Sequence, residues 1–257
     1  MARLSDRKAL ITGGASGIGA ATARLFCQEG AAVLLVDRDP EALSGTAAAL
    51  REAHPGARVE CLAADVSDAD AAQRAADMAA RAWGGLDILV CNAAMRNYST
   101  LAQAKPEEWH AMVDVNLVGT ANYCRAALPA LRAAAGASIV IVSSCYAVTG
   151  RAGMGIYDAT KAGLLAMTRT LAFEEAPHGV RVNAVCPGST LTEFHVGRAQ
   201  ARGKAVEQLK QERTDTSLLR RWASPEEIAW PILWLASNEA SFMTGTHVMV
   251  DGGLSVM

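Results

Sequence analysis

Seven short apolar runs alternating with longer helical patterns predict an α/β fold: a single doubly wound domain with a seven-stranded parallel sheet and helices on both faces. Three observations carry this. The apolar runs are continuous rather than alternating, as strands covered on both faces require. The stretches between them are long enough for the helical crossovers that parallel strands need. A glycine-rich turn, Thr12 to Gly19, follows the first run directly and opens the first helical pattern.

In chain order the strands are Lys8–Thr12 (KALIT), Ala32–Asp37 (AVLLVD), Val59–Ala63 and 86–92 (LDILVCN). Three more follow at 137–143 (ASIVIVS), 181–186 (RVNAVC) and His247–Val250. The helices between them announce their starts. Asp39 can cap a helix whose first residue is Pro40, a position where a missing N–H costs nothing. Ser67-Asp68-Ala69-Asp70 can cap the next, with carboxylates near the positive end of its dipole. Ser224 followed by Glu227 has the spacing of a capping box. One stretch, 190–219, loses the apolar rhythm and becomes charged and glutamine-rich. Beyond a strand's carboxyl end such an insertion reads as a substrate lid or as a surface helix pair, and the lid is favoured because ligands bind at that edge. The motifs below all fall on one continuous sheet, so the domain is taken to span 1–257.

Composition narrows the function. The 257 residues carry 24 Lys+Arg against 26 Asp+Glu, a net charge of -2, which argues against nucleic acid or an anionic membrane as partner. Half the chain is hydrophobic (51%) but only 5% is aromatic, the profile of alanine-rich helices packed closely on a sheet. The six cysteines and five histidines are scattered, with no spacing that suits a metal site. Single cysteines amid apolar runs suit a reducing compartment, and no stretch suits a signal peptide or membrane span. The expectation is a cytoplasmic protein with a small-molecule substrate and no metal.

The turn Thr12-Gly13-Gly14-Ala15-Ser16-Gly17-Ile18-Gly19 has the spacing G-x-x-x-G-x-G. Glycines there allow a tight turn and let backbone N–H groups approach a pyrophosphate at a helix N-terminus. Asp37 ends the second strand 18 residues after Gly19. Its carboxylate can accept from both ribose hydroxyls of NAD and would repel a 2′-phosphate. Arg38 could pair with that phosphate, but Ser16 offers no charge, so NAD is favoured over NADP. Asp65 and Val66 can hold the adenine, or Asp65 can serve as a helix-entry residue. Asn92 and Ala93, after the fourth strand, allow close backbone approach to the cofactor.

Tyr157 and Lys161 are four apart at the start of a helical segment, so both side chains share one face. A tyrosine hydroxyl, with a pKa of about 10, is a poor base at neutral pH, and an adjacent ammonium favours its phenolate. The pair suits a general acid/base for alcohol–ketone interconversion, where one proton leaves as a hydride goes. Ser144, 13 residues upstream at a strand end, can hold the substrate oxygen beside Tyr157. Asn116 is an odd choice for a helix interior, where it can distort the helix and open a carbonyl to water.

In these motifs, from TGGASGIG through ADV, NAA, Asn116, Ser144, YDATK and NAVCPG to TGTHVMVDGG, the chain resembles the classical short-chain dehydrogenase/reductase family nearly end to end. The resemblance implies a single-domain Rossmann fold and a homotetramer. It implies a catalytic set of Ser144, Tyr157 and Lys161, with Asn116 anchoring a water relay to Lys161. Tyr157 and Lys161 would also touch the cofactor, and Pro187, Gly188, Thr190 and Thr192 match the stretch that clamps the nicotinamide carboxamide. Two positions depart from the family pattern: Ala94 stands where it has glycine, and Cys91 where asparagine is common.

The pocket is expected from the loops beyond strand ends, with Arg96, Asn97, Tyr98, Tyr146, Arg151, Glu193 and His195 among its residues. A polar lid favours a small hydroxylated substrate, a sugar or sugar-derived acid such as a 2-keto-3-deoxy sugar acid, and Arg151, then Arg96, is placed to take its carboxylate. The rival readings are an NAD(P)H-dependent ketoreductase of acyl-carrier or steroid type and a non-catalytic NAD-binding regulator.

Overall fold

A computed structural model describes residues 2–212 and 216–257. Seven strands form one sheet: β1 (Lys8–Thr12), β2 (Ala32–Asp37), β3 (Val59–Ala63), β4 (Ile88–Cys91), β5 (Ser138–Val142), β6 (Arg181–Pro187) and β7 (His247–Val250). All pairings are parallel, in the order β3-β2-β1-β4-β5-β6-β7. The order reverses between β1 and β4, which opens a crevice at the carboxyl ends of those strands. This is the doubly wound, Rossmann-like single domain the sequence predicts.

The continuous apolar runs bury both faces. Ala9, Ile11, Val33, Leu35, Val90 and Val140 point to one core, with α1 (Gly17–Gln28), α2 (Pro40–Ala53) and α9 (Pro225–Ala236). Leu10, Leu34, Val36, Leu89, Ile139 and Ile141 point to the other, with α3 (Ala69–Trp83), α5 (Gly119–Ala133) and α6 (Gly155–Glu175). The alanine excess finds its use here: the face α3 buries consists of Ala71, Ala72, Ala75, Ala76 and Ala79, which brings its backbone close to its neighbours.

The predicted starts hold. Asp39 accepts from the N–H groups of Glu41 and Ala42, Asp68 accepts from Asp70, and Ser224 and Glu227 form the capping box. The fourth strand is shorter than its apolar run, starting at Ile88 and ending before Asn92, whose N–H leaves the ladder for the Thr12 hydroxyl. The helical segment around Asn116 is not regular. Between α4 (Pro106–Val113) and α5 the residues Asp114–Val118 wind as a π-helix, a distortion of the kind asparagine there foreshadows. Residues 190–219 form two short helices, α7 (Glu193–Gln200) and α8 (Val206–Gln211), with Arg213, Thr214 and Asp215 of that segment outside the described residues.

Candidate active site

At the carboxyl end of β1, the chain must turn sharply from strand into helix. Gly13 does so at φ +66° and Gly17 at φ +53°, in the left-handed region that favours glycine. Gly19 is required by proximity: a Cβ there would stand 1.9 Å from the Gly13 carbonyl oxygen. Side chains lock the turn from below. The Thr12 hydroxyl accepts from the N–H groups of Asn92 and Ala93 at 3.0 and 3.2 Å, and the Asn92 amide donates to the carbonyls of Thr12 and Gly13. Ala94 fits because only Asp6 and Arg220, among the described non-glycine residues, have positive φ.

Beside this loop lies a cavity of about 420 Å³. It is lined at one end by Gly13, Ser16, Gly17, Ile18, Asp37, Arg38, Asp65, Val66, Asn92 and Ala93. Pro187 at the end of β6 and Gly188, Thr190 and Thr192 just beyond it line the cavity too, so it brings together every residue expected at the cofactor except Gly19, which supports the loop from behind. Asp37 accepts from the Ala15 N–H at 3.1 Å, which ties the strand end to the loop. Asp65 accepts from the Ser67 N–H and hydroxyl, bonds that hold its carboxyl below the usual range. The fit to a dinucleotide is tested by what occupies the N-terminus of α1. The Gly17 N–H donates to the Glu193 carboxylate at 2.8 Å, so this end of the helix already binds an anionic oxygen.

That contact also corrects an expectation. Glu193 does not face the substrate end: it sits on the glycine loop, 176 residues away in sequence.

The reaction end is built on β5 and α6. Ser144 lies two residues past the end of β5, buried, and its hydroxyl oxygen accepts from the Tyr146 N–H. Tyr157 and Lys161 follow one another on the buried face of α6 and reach the same cavity. Lys161 Nζ donates to the Val142 carbonyl at 2.8 Å and lies 5.6 Å from the Tyr157 ring centroid. Burial pushes the Tyr157 hydroxyl up, opposed by the Arg96 and Arg151 guanidinium charges. Burial, with the Arg96 charge, pushes the Lys161 ammonium down to about 7.

Asn116 stands behind this end rather than on it. From the π-helical turn its side chain accepts from the Met95 N–H at 2.8 Å and donates to the Met95 carbonyl and the Thr160 hydroxyl. Its own carbonyl accepts from the Thr120 hydroxyl, so the turn forms as the sequence suggests but that oxygen is not left to water alone.

The pocket arginines differ. Arg151 lines the cavity but donates to both oxygens of Asp158, at 3.1 and 2.8 Å, and lies 3.6 Å over the Tyr146 ring. A carboxylate partner is thus already in place. Arg96 stands 5.2 Å from the Tyr157 ring centroid and 5.1 Å from that of Phe194, with one nitrogen 3.1 Å from His195 Nε2. Asn97 and Tyr98 turn away, Asn97 to Glu108 and Tyr98 beneath Arg198. Trp222, which sequence reasoning missed, also lines the cavity and donates to the Leu209 carbonyl. The available signal was a lone tryptophan in a polar stretch, just before the Ser224 capping box.

Comparison with known proteins gives matches over nearly the whole chain. A family model described as enoyl-(acyl carrier protein) reductase matches residues 13–255. The chain is 39% identical to a cis-4-hydroxycyclohexanecarboxylate dehydrogenase of Sinomonas cyclohexanicum, covering 98% of both chains. It is 38% identical to a 3-oxoacyl-[acyl-carrier-protein] reductase of Thermotoga maritima, covering 99% of this chain and 100% of that one. An L-sorbose reductase of Gluconobacter frateurii, solved with NADPH and L-sorbose, superposes with a TM-score of 0.94 at 33% identity over 100% of both chains. Among the described residues, no helix is long and apolar enough to cross a membrane.

Proposed function

The chain belongs to the short-chain dehydrogenase/reductase family, and on that premise we propose that it is an NAD-dependent oxidoreductase acting on the secondary alcohol, or the ketone, of a small polar substrate. A sugar or sugar-derived acid, such as a 2-keto-3-deoxy sugar acid, is the class we assign. The observation that carries this reading is the convergence of Ser144, Tyr157 and Lys161 on the cavity that also holds the glycine loop and Asp37.

When bound, the nicotinamide ring takes or gives the hydride. The chain's own residues handle the proton and the orientation. Tyr157 exchanges the proton of the substrate oxygen at its phenolic oxygen. The Lys161 ammonium beside it stabilises the phenolate against the burial that otherwise opposes it. Ser144 orients the substrate oxygen. Asn116 acts as a positioning residue, tying the Met95 backbone to Thr160 on the turn of α6 that carries Tyr157 and Lys161; the water relay to Lys161 is a further part of this assignment. Asp37 receives the ribose hydroxyls and repels a 2′-phosphate, which favours NAD. The polar character of α7 and α8 supports a hydrophilic substrate under a lid at 190–219. The Sinomonas and Gluconobacter relatives, named for a hydroxy acid and a sugar, support the same class. A homotetramer in a reducing, cytoplasmic setting completes the proposal, supported by six free cysteines and the outward Trp230 and Phe242.

The test is a substrate panel run with NAD and with NADP, comparing aldonates, 2-keto-3-deoxy acids and free sugars with steroids and acyl thioesters. Polar substrates with NAD should turn over fastest, and Tyr157→Phe should lower turnover by roughly 10²–10⁴ while NAD binding persists. Faster turnover of acyl thioesters with NADPH would establish instead the ketoreductase reading that the Thermotoga relative favours. Binding of NAD without any turnover would mark a non-catalytic regulator.

A further inference from the structure

We propose that Arg96 receives a carboxylate of the substrate within a few bonds of the reacting carbon, so that the substrate is a hydroxy acid or keto acid. The inference rests on the reading of Tyr157 as the proton-transfer residue and narrows the substrate class of that site.

The charges around the reaction end carry the argument. Three cationic side chains, Arg96, Arg151 and Lys161, line the cavity there. Arg151 is matched by Asp158, which takes both arms of its fork. Lys161 spends one donor on the Val142 carbonyl and is committed to Tyr157 in the proposed chemistry. Arg96 is different. Its guanidinium meets an imidazole nitrogen, and it meets no carboxylate among the described residues. The acidic residues lining the cavity, Asp37 and Asp65, lie at the opposite end, beyond the glycine loop. A half-buried guanidinium without a counter-charge calls for an anion in the ligand, because its five donors match a carboxylate edge to edge.

Geometry says where that carboxylate lies. The Arg96 guanidinium is 5.2 Å from the centroid of the Tyr157 ring and 5.1 Å from that of Phe194. Two rings limit its swing, so an anion it holds stays close to the oxygen that Tyr157 protonates. The Arg96 charge also bears directly on both Tyr157 and Lys161, lowering the first hydroxyl's pKa against burial and pushing the second ammonium's pKa down. A carboxylate on Arg96 would relieve the crowding of positive charge at this end.

The test measures binding to the full-length protein saturated with NADH, by calorimetry. Matched probes are used: glycolate, lactate, glycerate and gluconate against ethylene glycol, propane-1,2-diol, glycerol and sorbitol. At least one acid should bind roughly ten- to hundredfold more tightly than its neutral counterpart, the range for hydrogen bonds to a charged group. Arg96→Gln should erase that preference while leaving NADH affinity within about twofold, and Arg96→Lys should restore part of it. Arg151→Gln serves as the control and should leave the preference intact. No acid preference in the wild type, or a preference lost in Arg151→Gln but kept in Arg96→Gln, overturns the proposal. Turnover of neutral alcohols that Tyr157→Phe abolishes, without any preference for acids, would sink this inference alone and leave the proton-transfer reading standing.

Discussion

The two ends of the cavity are built from different materials. At the glycine-loop end the shape is set by backbone: left-handed glycines, a helix N-terminus, and strand ends tied together by Thr12 and Asn92. At the reaction end it is set by side chains that reach in from separate elements. Tyr157 and Lys161 come from α6, Arg96 from the loop after β4, Phe194 and His195 from α7, and Trp222 from the segment before α9. A backbone-built site tolerates almost no change in its residues but serves any substrate. A side-chain-built site can be re-specified without disturbing the sheet beneath it. The contrast assigns generality to one end and selectivity to the other.

The largest expected effect tests the rigidity of the backbone-built end. Gly19→Ala sets a methyl against a carbonyl oxygen at 1.9 Å, with no flexible side chain to give way. Strain of about 3 kcal/mol is expected, at the top of the usual range for overpacking. NAD affinity, measured by calorimetry, should then fall roughly hundredfold; an unchanged affinity would show that the loop is soft and the contrast false. At the reaction end, the protonation of Lys161 should show in stability. Burial holds its ammonium at about 7, whereas an unfolded lysine titrates at about 10.4. Between those values the unfolded chain binds the extra proton, so stability gains from this residue as pH rises through that window. Urea denaturation at several pH values should show wild type gaining on Lys161→Met by about 1 kcal/mol per pH unit there. Parallel curves would mean that water reaches the ammonium. The smallest effect concerns a contact between α7 and the glycine loop, the Glu193 carboxylate on the Gly17 N–H. Glu193→Gln removes a helix-dipole interaction of about 0.3–1 kcal/mol. The ligand-free protein should melt a degree or two lower, by about that much for a chain of this size. NAD affinity should move the other way and tighten by roughly two- to fivefold, since a full negative charge no longer contends for that donor. Changes of the same sign would mean that Glu193 plays no part at the phosphate end.

Legibility follows the same division. Lys8–Thr12, Ala32–Asp37, Val59–Ala63 and His247–Val250 are strands to the residue, because continuous apolar runs and their flanking turns are local signals. The glycine loop and Asp37 are legible for the same reason: φ preference and spacing act over a few residues. Arg151 is the opposite case. Its partner Asp158 is only seven residues away, yet nothing in the sequence says that the carboxylate turns toward the arginine rather than to solvent. Glu193 and Trp222 are harder still, since their partners lie 176 and 13 residues off and depend on how α7 and α8 settle on the sheet. Asn116 lies between these cases: the residue type announced a distortion, but its partners, Met95 and Thr160, come from two other segments.

The π-helical turn at Asp114–Val118 makes chain length itself a constraint. A helix winds by about 100° for each residue, so a turn one residue wider than normal is equivalent to an insertion that has never been smoothed out. Deleting one of the four residues other than Asn116 would restore regular winding and leave α4 and α5 in phase, but it would remove the wide turn that aims the Asn116 side chain. Asn116 would then point away from Met95 and Thr160, with every residue type in the helix still favourable to it. In the turn after α7, by contrast, a residue gained or lost should pass almost unnoticed, since 201–204 are all exposed. Tolerance to insertion and deletion, mapped position by position, would therefore trace the functional framework of this chain more sharply than tolerance to substitution.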